Sequence, residues 1–332
     1  MSLLASLLKT VNAPQIGLGC MNLSHGYGKP VAEADGIRAL EAAFDMGYRH
    51  FDTATLYGAT ANEQLVGRAL AAKRHALVLA SKCGMAIDPA QGKKVIDSRP
   101  ATLRRQCEES LSRLQTYHLD LYYLHRWDKS VPIEESVGEL GRLVDEGKIR
   151  AIGLSEVSAS TLQRAHAERP IAAVQSEYSL WTLTPEIAVL KACRELDVAF
   201  VAFSPLGRGF LSGAVKGEDA LEEGDMRRHL PRFNGANLAH NLQRLDAFNA
   251  LAYQWEIPTS QLALAWLQSQ GDDIFPIPGS RSIAHMRENL GANALKLDPS
   301  TAAKLKTLFS PEHIAGERYT AEQLAEVDTE QF

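Results

Sequence analysis

Short apolar runs rich in β-branched and aromatic residues alternate along the chain with longer stretches whose apolar residues recur every three or four positions. The short runs are typical of buried strands, and the longer spacing is typical of amphipathic helices. Strands are predicted at 15–19, 48–52, 76–81, 119–124, 149–154, 172–175, 198–203 and 274–277. Helices are predicted between them at 99–115, 133–146, 158–167 and 184–196. This alternation indicates a parallel sheet joined by helical crossovers.

Eight strand–helix units favour a closed (β/α)8 TIM barrel of the α/β class, formed by residues 1–332 as a single domain. An open doubly wound sheet is disfavoured because no GxGxxG motif follows the first strand. The segment 204–240 breaks the rhythm and is predicted to be a long functional loop, because long loops in compact barrels usually bind ligands. The polar tail 311–332 is expected to wrap the barrel mouth or to fray.

Composition narrows the class of protein without naming a function. The chain has 332 residues, 45% of them hydrophobic and 23% charged, with a formal net charge of -5, which is typical of a globular domain. No run rich in lysine and arginine stands out, so a nucleic-acid partner is not expected. One basic cluster is interpreted as a solvated loop, with an anion contact near an active site as the alternative. Its members are Arg227, Arg228, His229 and Arg232.

Cysteine usage and apolar runs indicate a reducing, cytoplasmic location. Four cysteines are widely spaced and form no CxxC pair, so neither a disulfide framework nor a metal cluster is expected. The apolar stretch at 1–8 lacks a basic flank and is too short for a signal peptide. No uncharged run is long enough to span a membrane. The oligomeric state is left open.

Polar side chains follow three consecutive predicted strands. Asp52 ends the second strand, Lys82 follows the third, His125 follows the fourth, and Tyr57 lies in the loop five residues beyond Asp52. Chemistry in a barrel occurs at the carboxyl ends of its strands, so these four side chains are predicted to meet at one rim. Each residue alone is more often structural; their coincidence favours a catalytic site.

The chemistry of these four residue types suits carbonyl reduction. A carbonyl that accepts hydride becomes an alkoxide and needs a proton, which Tyr57 can donate as general acid. The Lys82 ammonium would favour the phenolate, and Asp52 would hold Lys82 charged and oriented. His125 could hydrogen-bond the carbonyl oxygen as charge develops on it.

The segment 47–54, with Tyr57 and Asn62, resembles the signature of the aldo-keto reductase family around its catalytic Asp and Tyr. Ser81 and Lys82, and the segment 119–126, match the family's Lys and His regions. Segments 153–158, 175–181 and 204–211 further resemble the bacterial and plant branch of auxin-induced-protein and pyridoxal-reductase type. The resemblance covers about residues 15–310.

The resemblance implies an NADP-dependent enzyme that binds NADPH without a Rossmann motif. Ser155 and Gln175 would bond the nicotinamide carboxamide, Phe203 would stack on the ring, and Arg281 would hold the 2′-phosphate. The full set of implied cofactor residues is Gly19, Cys20, Met21, Asp52, Ser155, Gln175, Phe203, Ser204, Pro205, Leu206, Gly207, Arg208, Gly209, Phe210, Gly279, Ser280, Arg281, His285, Glu288 and Asn289.

Departures from the family pattern and the substrate pocket complete the interpretation. Glu156 stands where many relatives have Asn, so a carboxamide contact at that position is in doubt, and His285 stands where many have a basic or amide residue. Tyr57, His125 and Trp127 are predicted to line the substrate pocket, which favours small-molecule carbonyls with an aromatic or apolar body. The physiological substrate and the preferred direction are left open.

Two alternatives to a reductase remain open from the sequence. The first is an NADP(H)-binding module that reports redox state with little turnover, as the potassium-channel beta subunits of the same family do. The second is an isomerase or lyase acting on a phosphorylated sugar, because phosphate-binding loops late in a barrel are common to many enzymes. Turnover with added nicotinamide separates the three.

Overall fold

The computed structural model describes residues 1–88 and 90–332. Eight parallel strands form one sheet. In their order across the sheet they are β1 (Leu18–Gly19), β2 (His50–Asp52), β3 (Val78–Cys83), β6 (Leu121–Leu124), β7 (Ile152–Ser155), β8 (Ile171–Glu177), β9 (Ala199–Phe203) and β10 (Ile274–Pro276). The Gly17 amide donates to the carbonyl of Pro276 at 2.9 Å, and Gly19 bridges Gly279, so the first strand closes on the last. The predicted (β/α)8 barrel is confirmed.

Helices surround the sheet and connect its strands. They are α1 (Leu3–Thr10), α2 (Glu33–Met46), α3 (Ala61–Leu70), α4 (Pro100–Arg113), α5 (Ile133–Asp145), α6 (Ala159–Glu168), α7 (Val189–Glu195), α8 (Gly235–Leu242), α9 (Leu245–Gln254), α10 (Thr259–Ser269), α11 (Ile283–Gly291), α12 (Pro299–Leu308) and α13 (Ala321–Ala325). The sequence explains their ends. Ser158 caps the start of α6, because its hydroxyl accepts from the amide of Thr161, and Gly47 caps the end of α2 with φ +110°.

The N-terminal apolar stretch forms helix α1, which packs against the interior of the barrel. Leu4 and Leu8 of α1 are buried against the residues that fill the barrel interior, among them Val78, Leu121 and Val201. The helix contacts β8 and β9, and the Met1 ammonium before it pairs at 2.9 Å with Asp197, which precedes β9. The apolar character of this stretch is therefore explained by its place in the core.

Three segments differ from the sequence prediction in detail. Strand β1 is only two residues long, and of the residues predicted before it Gly17 joins the sheet through a single hydrogen bond to Pro276. A hairpin of β4 (Met85–Asp88) and β5 (Lys93–Ile96) follows β3. Its second strand is short and largely exposed, so it left no buried apolar run in the sequence. The loop 204–240 contains short 3-10 turns and the start of α8.

The tail 311–332 wraps the barrel mouth. Its helix α13 is capped by Thr320, and Val327 beyond it is buried. The Lys94 ammonium of the hairpin pairs with the Glu326 carboxylate of the tail at 2.6 Å, which joins two segments above the rim. Among the residues that the structure describes, no helix is long and apolar enough to span a membrane.

Candidate active site

The strand register brings the predicted polar residues to one rim. Asp52 lies opposite Ala80 in the β2–β3 pair, so Lys82 extends just beyond it on the neighbouring strand. His125 follows β6 directly, and its amide donates to the carbonyl of Cys83 at 2.8 Å. All three belong to consecutive strands of one parallel sheet, so their side chains emerge at the same end.

A tight turn delivers Tyr57 to the same place. The Tyr57 amide donates to the carbonyl of Ala54 at 3.1 Å, which folds the loop back after β2. Buried Asn62 anchors this turn: its Oδ1 accepts from the Thr53 hydroxyl at 2.6 Å, and its Nδ2 donates to the Cys20 carbonyl at 2.9 Å. Asn62 of the sequence motif thus fixes the conformation of the loop that carries Tyr57.

Lys82 is the centre of the site. Its ammonium pairs with Asp52, donates to the carbonyl of Thr53 at 2.9 Å, and lies 3.2 Å from the Tyr57 hydroxyl. The other Asp52 oxygen accepts from Gln175 Nε2 at 2.8 Å. The Lys82 and Asp52 side chains are 1% and 2% exposed, so the pair is shielded from water and both charges are fully hydrogen-bonded.

Burial and neighbouring charges set the protonation of the site. Burial raises the pKa of Tyr57, and the Lys82 ammonium opposes that rise without overcoming it. For Lys82, burial lowers the pKa, but attraction to Asp52 outweighs it and the net pKa is raised. Burial, with the charges of Arg126 and Lys82, holds the pKa of His125 well below its usual range. At neutral pH the tyrosine is protonated, the lysine charged and the histidine neutral.

His125 stands beside the tyrosine with an unused ring nitrogen. The two rings meet edge to face, with centroids 5.7 Å apart. Within the described residues, His125 Nδ1 is buried and has no hydrogen-bond partner. A buried polar atom without a protein partner is one that a ligand can satisfy.

A cavity of about 1220 Å³ opens at this rim and contains most of the predicted site. Asp52, Tyr57 and His125 line it at one end. The predicted cofactor residues that also line it are Gly19, Met21, Ser155, Gln175, Phe203, Ser204, Pro205, Leu206, Arg208, Gly209, Gly279, Ser280, Arg281, His285, Glu288 and Asn289. Its volume exceeds that of an ordinary small-ligand pocket, so it has room for a large ligand and a second small one.

The remaining predicted residues, including the buried Lys82, lie outside the cavity lining. Cys20 is fully buried beneath β1, and Gly207 is buried within its turn. Phe210 stacks on the ring of Trp181 at 3.8 Å between centroids. Trp127 packs against the core and donates its ring N–H to the carbonyl of Val131 at 2.7 Å, so the structure does not bring it to the predicted substrate pocket.

The backbone at 204–209, directly after β9, forms a tight turn that we call the cradle. Ser204, Gly207, Arg208 and Gly209 all have positive φ, between 48° and 91°. Across the cavity, a Cβ at Gly19 would lie 2.8 Å from the carbonyl oxygen of Ile277, so only glycine permits this approach. The turn is held by its own hydrogen bonds, since the Gly207 amide donates to the Ser204 carbonyl at 2.9 Å and the Gly209 amide to the Leu206 carbonyl at 3.1 Å. Its remaining N–H groups belong to residues that line the cavity, which suits an anion.

The basic cluster predicted at 227–232 has mixed roles. Arg227 lines the cavity, pairs with Asp225 at 2.6 Å and donates to the carbonyl of Arg208 at 2.9 Å. Arg228 donates to the carbonyl of Leu221, and Arg232 lies over the ring of Trp181. Most of the cluster is therefore structural, and only its first member reaches the cavity.

Glu156 takes part in a buried charge network that joins the tail to the cradle. Its carboxylate pairs with Arg318 at 2.7 Å, and Glu177 pairs with Arg208 at 2.8 Å. The Tyr319 hydroxyl accepts from Arg208 at 3.1 Å. We call these five residues the tail clamp. Glu156 thus turns away from the cavity, which accounts for the departure from Asn at that position.

Sequence patterns did not point to several lining residues. His25, Lys94, Arg126 and Tyr319 all border the cavity. The hairpin and tail residues carry no motif, since their positions depend on tertiary packing. Arg126 had a usable signal, because it directly follows His125 at the end of a strand.

Comparisons with known proteins agree with this architecture. The profile of the aldo/keto reductase family matches residues 15–309. A probable aldo-keto reductase 1 from Glycine max is 44% identical over 306 residues, covering 92% of this chain and 88% of that protein. A glycerol dehydrogenase structure from Gluconobacter oxydans matches with a TM-score of 0.82 and 29% identity, covering 91% of this chain and 93% of its own. An aldo/keto reductase from Klebsiella pneumoniae in complex with NADP and acetate matches with a TM-score of 0.70 and 28% identity, covering 92% and 95%.

The fold and these matches define a barrel oxidoreductase. The family profile spans nearly the whole described barrel, and the soybean relative is similar over nearly the whole chain. The chain belongs to the aldo-keto reductase family. The resemblance to this family inferred from short sequence motifs is confirmed.

Proposed function

We propose that this protein reduces aldehydes and ketones to alcohols with NADPH as hydride donor. The observation that carries the proposal is the Tyr57 hydroxyl, protonated at neutral pH and 3.2 Å from the Lys82 ammonium. Neutral His125 lies beside it with a free ring nitrogen. A proton donor, its stabilising cation and a second hydrogen-bonding group then surround one point of the cavity.

The cavity fits NADPH through a cradle and a set of polar side chains. Ser155 and Gln175 would bond the carboxamide, and Phe203 would contact the ring. The backbone N–H groups at 204–209 that are not used within the turn would bind the pyrophosphate. Arg281 would take the 2′-phosphate, because a guanidinium matches phosphate geometry, which favours NADPH over NADH. Bound there, NADPH supplies the hydride that reduces the carbonyl carbon.

The chain's own residues then handle the proton. The carbonyl oxygen becomes an alkoxide as the carbon is reduced, and Tyr57 donates its proton to that oxygen. Lys82 stabilises the phenolate left behind, and Asp52 keeps Lys82 charged and oriented. His125 hydrogen-bonds the same oxygen as its negative charge grows. General acid catalysis of this kind contributes about 10²- to 10⁴-fold to the rate.

We also propose that residues 1–332 act as one barrel domain in a reducing, cytoplasmic setting. The tail packs onto the rim through Arg318 and Val327. All four cysteines are buried as free thiols, which suits a reducing compartment.

The test is an absorbance assay with purified protein, NADPH or NADH, and a panel of aryl and alkyl aldehydes that includes pyridoxal. The proposal expects oxidation of NADPH that depends on the aldehyde, and slower oxidation of NADH. Tight NADPH binding without turnover would favour a redox-sensing module instead. Absence of both binding and turnover would overturn the cofactor assignment.

A further inference from the structure

Arg126 differs from the other arginines that line the cavity. Arg208, Arg227 and Arg281 each have a carboxylate within 4 Å: Glu177 at 2.8 Å, Asp225 at 2.6 Å and Glu222 at 3.7 Å respectively. Among the residues that the structure describes, Arg126 has no carboxylate within that distance. Its positive charge is the uncompensated one among the cavity arginines.

The Arg126 guanidinium is held in place through one of its three nitrogens. Its Nη1 donates to the carbonyl of His125 at 2.6 Å and to the Ser155 hydroxyl at 3.2 Å. Within the described chain, Nε and Nη2 donate to no protein acceptor. A guanidinium fixed at one nitrogen presents its other donors in a constant direction, which lowers the entropy cost of binding a ligand.

The charges at the reactive end of the cavity otherwise cancel. Lys82 pairs with Asp52, and Lys94 pairs with Glu326. The two histidines there are neutral at pH 7, since burial lowers the pKa of His25 and holds that of His125 well below its usual range. Arg126 therefore gives this end of the cavity a net positive charge next to the groups that would bind the carbonyl.

We infer that the preferred substrates are carbonyl compounds carrying a carboxylate or phosphate, which Arg126 binds while the carbonyl oxygen faces Tyr57 and His125. This inference rests on the proposed reductase function. Carboxylate and phosphate share the chemistry that matters here, since both accept paired hydrogen bonds from a guanidinium. The half-buried position strengthens such a pair relative to one in open water.

Matched substrate pairs test the inference. The carboxylate arm compares benzaldehyde with 3-carboxybenzaldehyde and 4-carboxybenzaldehyde, and the phosphate arm compares pyridoxal with pyridoxal 5′-phosphate. The expected result is a kcat/KM at least about tenfold higher for the anionic member of one pair, as charge-assisted hydrogen bonds typically provide. The arm that shows the preference identifies the anion.

Variants assign that preference to one side chain. Arg126→Gln should bring the anionic-to-neutral ratio of kcat/KM near one, and Arg126→Lys should retain part of it. Arg105→Gln, on the exposed face of α4, is the control and should keep the wild-type ratio. Added salt should raise KM for the anionic aldehyde and leave KM for the neutral one unchanged, a test that needs only the wild-type protein.

Each outcome decides a different claim. Reduction of neutral aldehydes with no anionic preference in either arm would overturn the inference and leave the reductase function standing. A ratio unchanged in Arg126→Gln, with weaker NADPH binding, would make Arg126 a cofactor residue and also overturn it. Absence of turnover with every aldehyde would overturn the proposed function and the inference with it.

Discussion

Lys82 Nζ lies 3.2 Å from the Tyr57 hydroxyl while the same nitrogen pairs with the Asp52 carboxylate. One ammonium therefore contacts two oxygens. The Asp52 carboxylate oxygen is negative throughout, and the Tyr57 oxygen becomes negative when Tyr57 donates its proton. Burial lowers the pKa of Lys82, but the adjacent Asp52 raises it further, so Lys82 is charged at neutral pH and available to stabilise the phenolate. Structure and proposed catalysis depend on the same contact.

Removing the Lys82 charge should damage stability and turnover separately. Lys82→Met leaves Asp52 buried without a cation, so the free energy of unfolding should fall by about 3–5 kcal/mol. The double variant Asp52→Asn with Lys82→Met should regain much of that stability, while turnover stays at least about 100-fold reduced because the phenolate is unsupported. Urea unfolding and the NADPH assay measure the two effects.

Lys73→Met is the matched control for this experiment. Lys73 forms an exposed pair with Asp45 at 3.5 Å, and such pairs contribute less than about 1 kcal/mol. If the double variant recovered full turnover along with stability, Lys82 would have no role in catalysis.

The pH dependence of reduction should lack a neutral transition. Tyr57 donates a proton, and its pKa is raised by burial, so its active protonated form is lost only as the pH rises above the usual tyrosine range. The pKa of His125 is well below its usual value, so His125 stays neutral. We expect kcat/KM for a neutral aldehyde to be flat between about pH 6 and pH 9. An apparent pKa within that window would contradict these assignments.

His50 should make the folded state sensitive to mild acid. Burial lowers its pKa from 6.5 to about 4, and neither ring nitrogen has a partner within the described residues. Between these two pH values His50 is protonated in the unfolded state but neutral in the folded state. The free energy of unfolding therefore falls as the pH drops from about 6.5 toward 4. The loss from His50 is at most about 1.4 kcal/mol per pH unit.

Replacement of this histidine isolates its contribution. His50→Phe should make the free energy of unfolding less dependent on pH between pH 7 and pH 5, as measured by urea unfolding. His75→Phe, at an exposed position, should leave the dependence unchanged. Equal pH dependence in wild type and His50→Phe would show that the pKa of His50 is the same in the folded and unfolded protein.

The pattern of hydrophobic and polar residues was enough to predict the barrel and the rim residues. Strand-end positions such as Asp52 and His125 follow from chain order alone, because parallel strands all end at one rim. The placement of Trp127 could not be predicted the same way. Its ring N–H donates to the carbonyl of Val131 in the loop before α5, and this contact, which fixes the side chain, leaves no pattern in the sequence.

Tertiary contacts decide the parts of the site that sequence patterns leave open. Glu156 differs from the common family residue, and only its 2.7 Å contact with Arg318, more than 160 residues away, explains it. The hairpin residue Lys94 reaches the cavity through pairing with the tail. Neither partner leaves a local pattern in the sequence, so neither could be found without the fold.

The tail clamp should stabilise the barrel mouth. Arg318→Met leaves Glu156 buried and unpaired, so the free energy of unfolding should fall by about 3–5 kcal/mol. The double variant Glu156→Gln with Arg318→Met should lose clearly less, because no charge is left uncompensated. Arg105→Met, in an exposed pair with Glu109, is the control. Equal stability of the single and double variants would contradict the buried pair.

The central claim is that Tyr57 donates the proton. Tyr57→Phe removes one oxygen from a buried site and leaves the cradle at 204–209 untouched, so NADPH should still bind, as followed by fluorescence quenching. The measurement is single-turnover oxidation of bound NADPH by a neutral aldehyde in wild type and Tyr57→Phe. We predict a rate at least about 100-fold lower in the variant, with NADPH affinity changed by less than about threefold. Reduction at the wild-type rate by Tyr57→Phe would contradict the account.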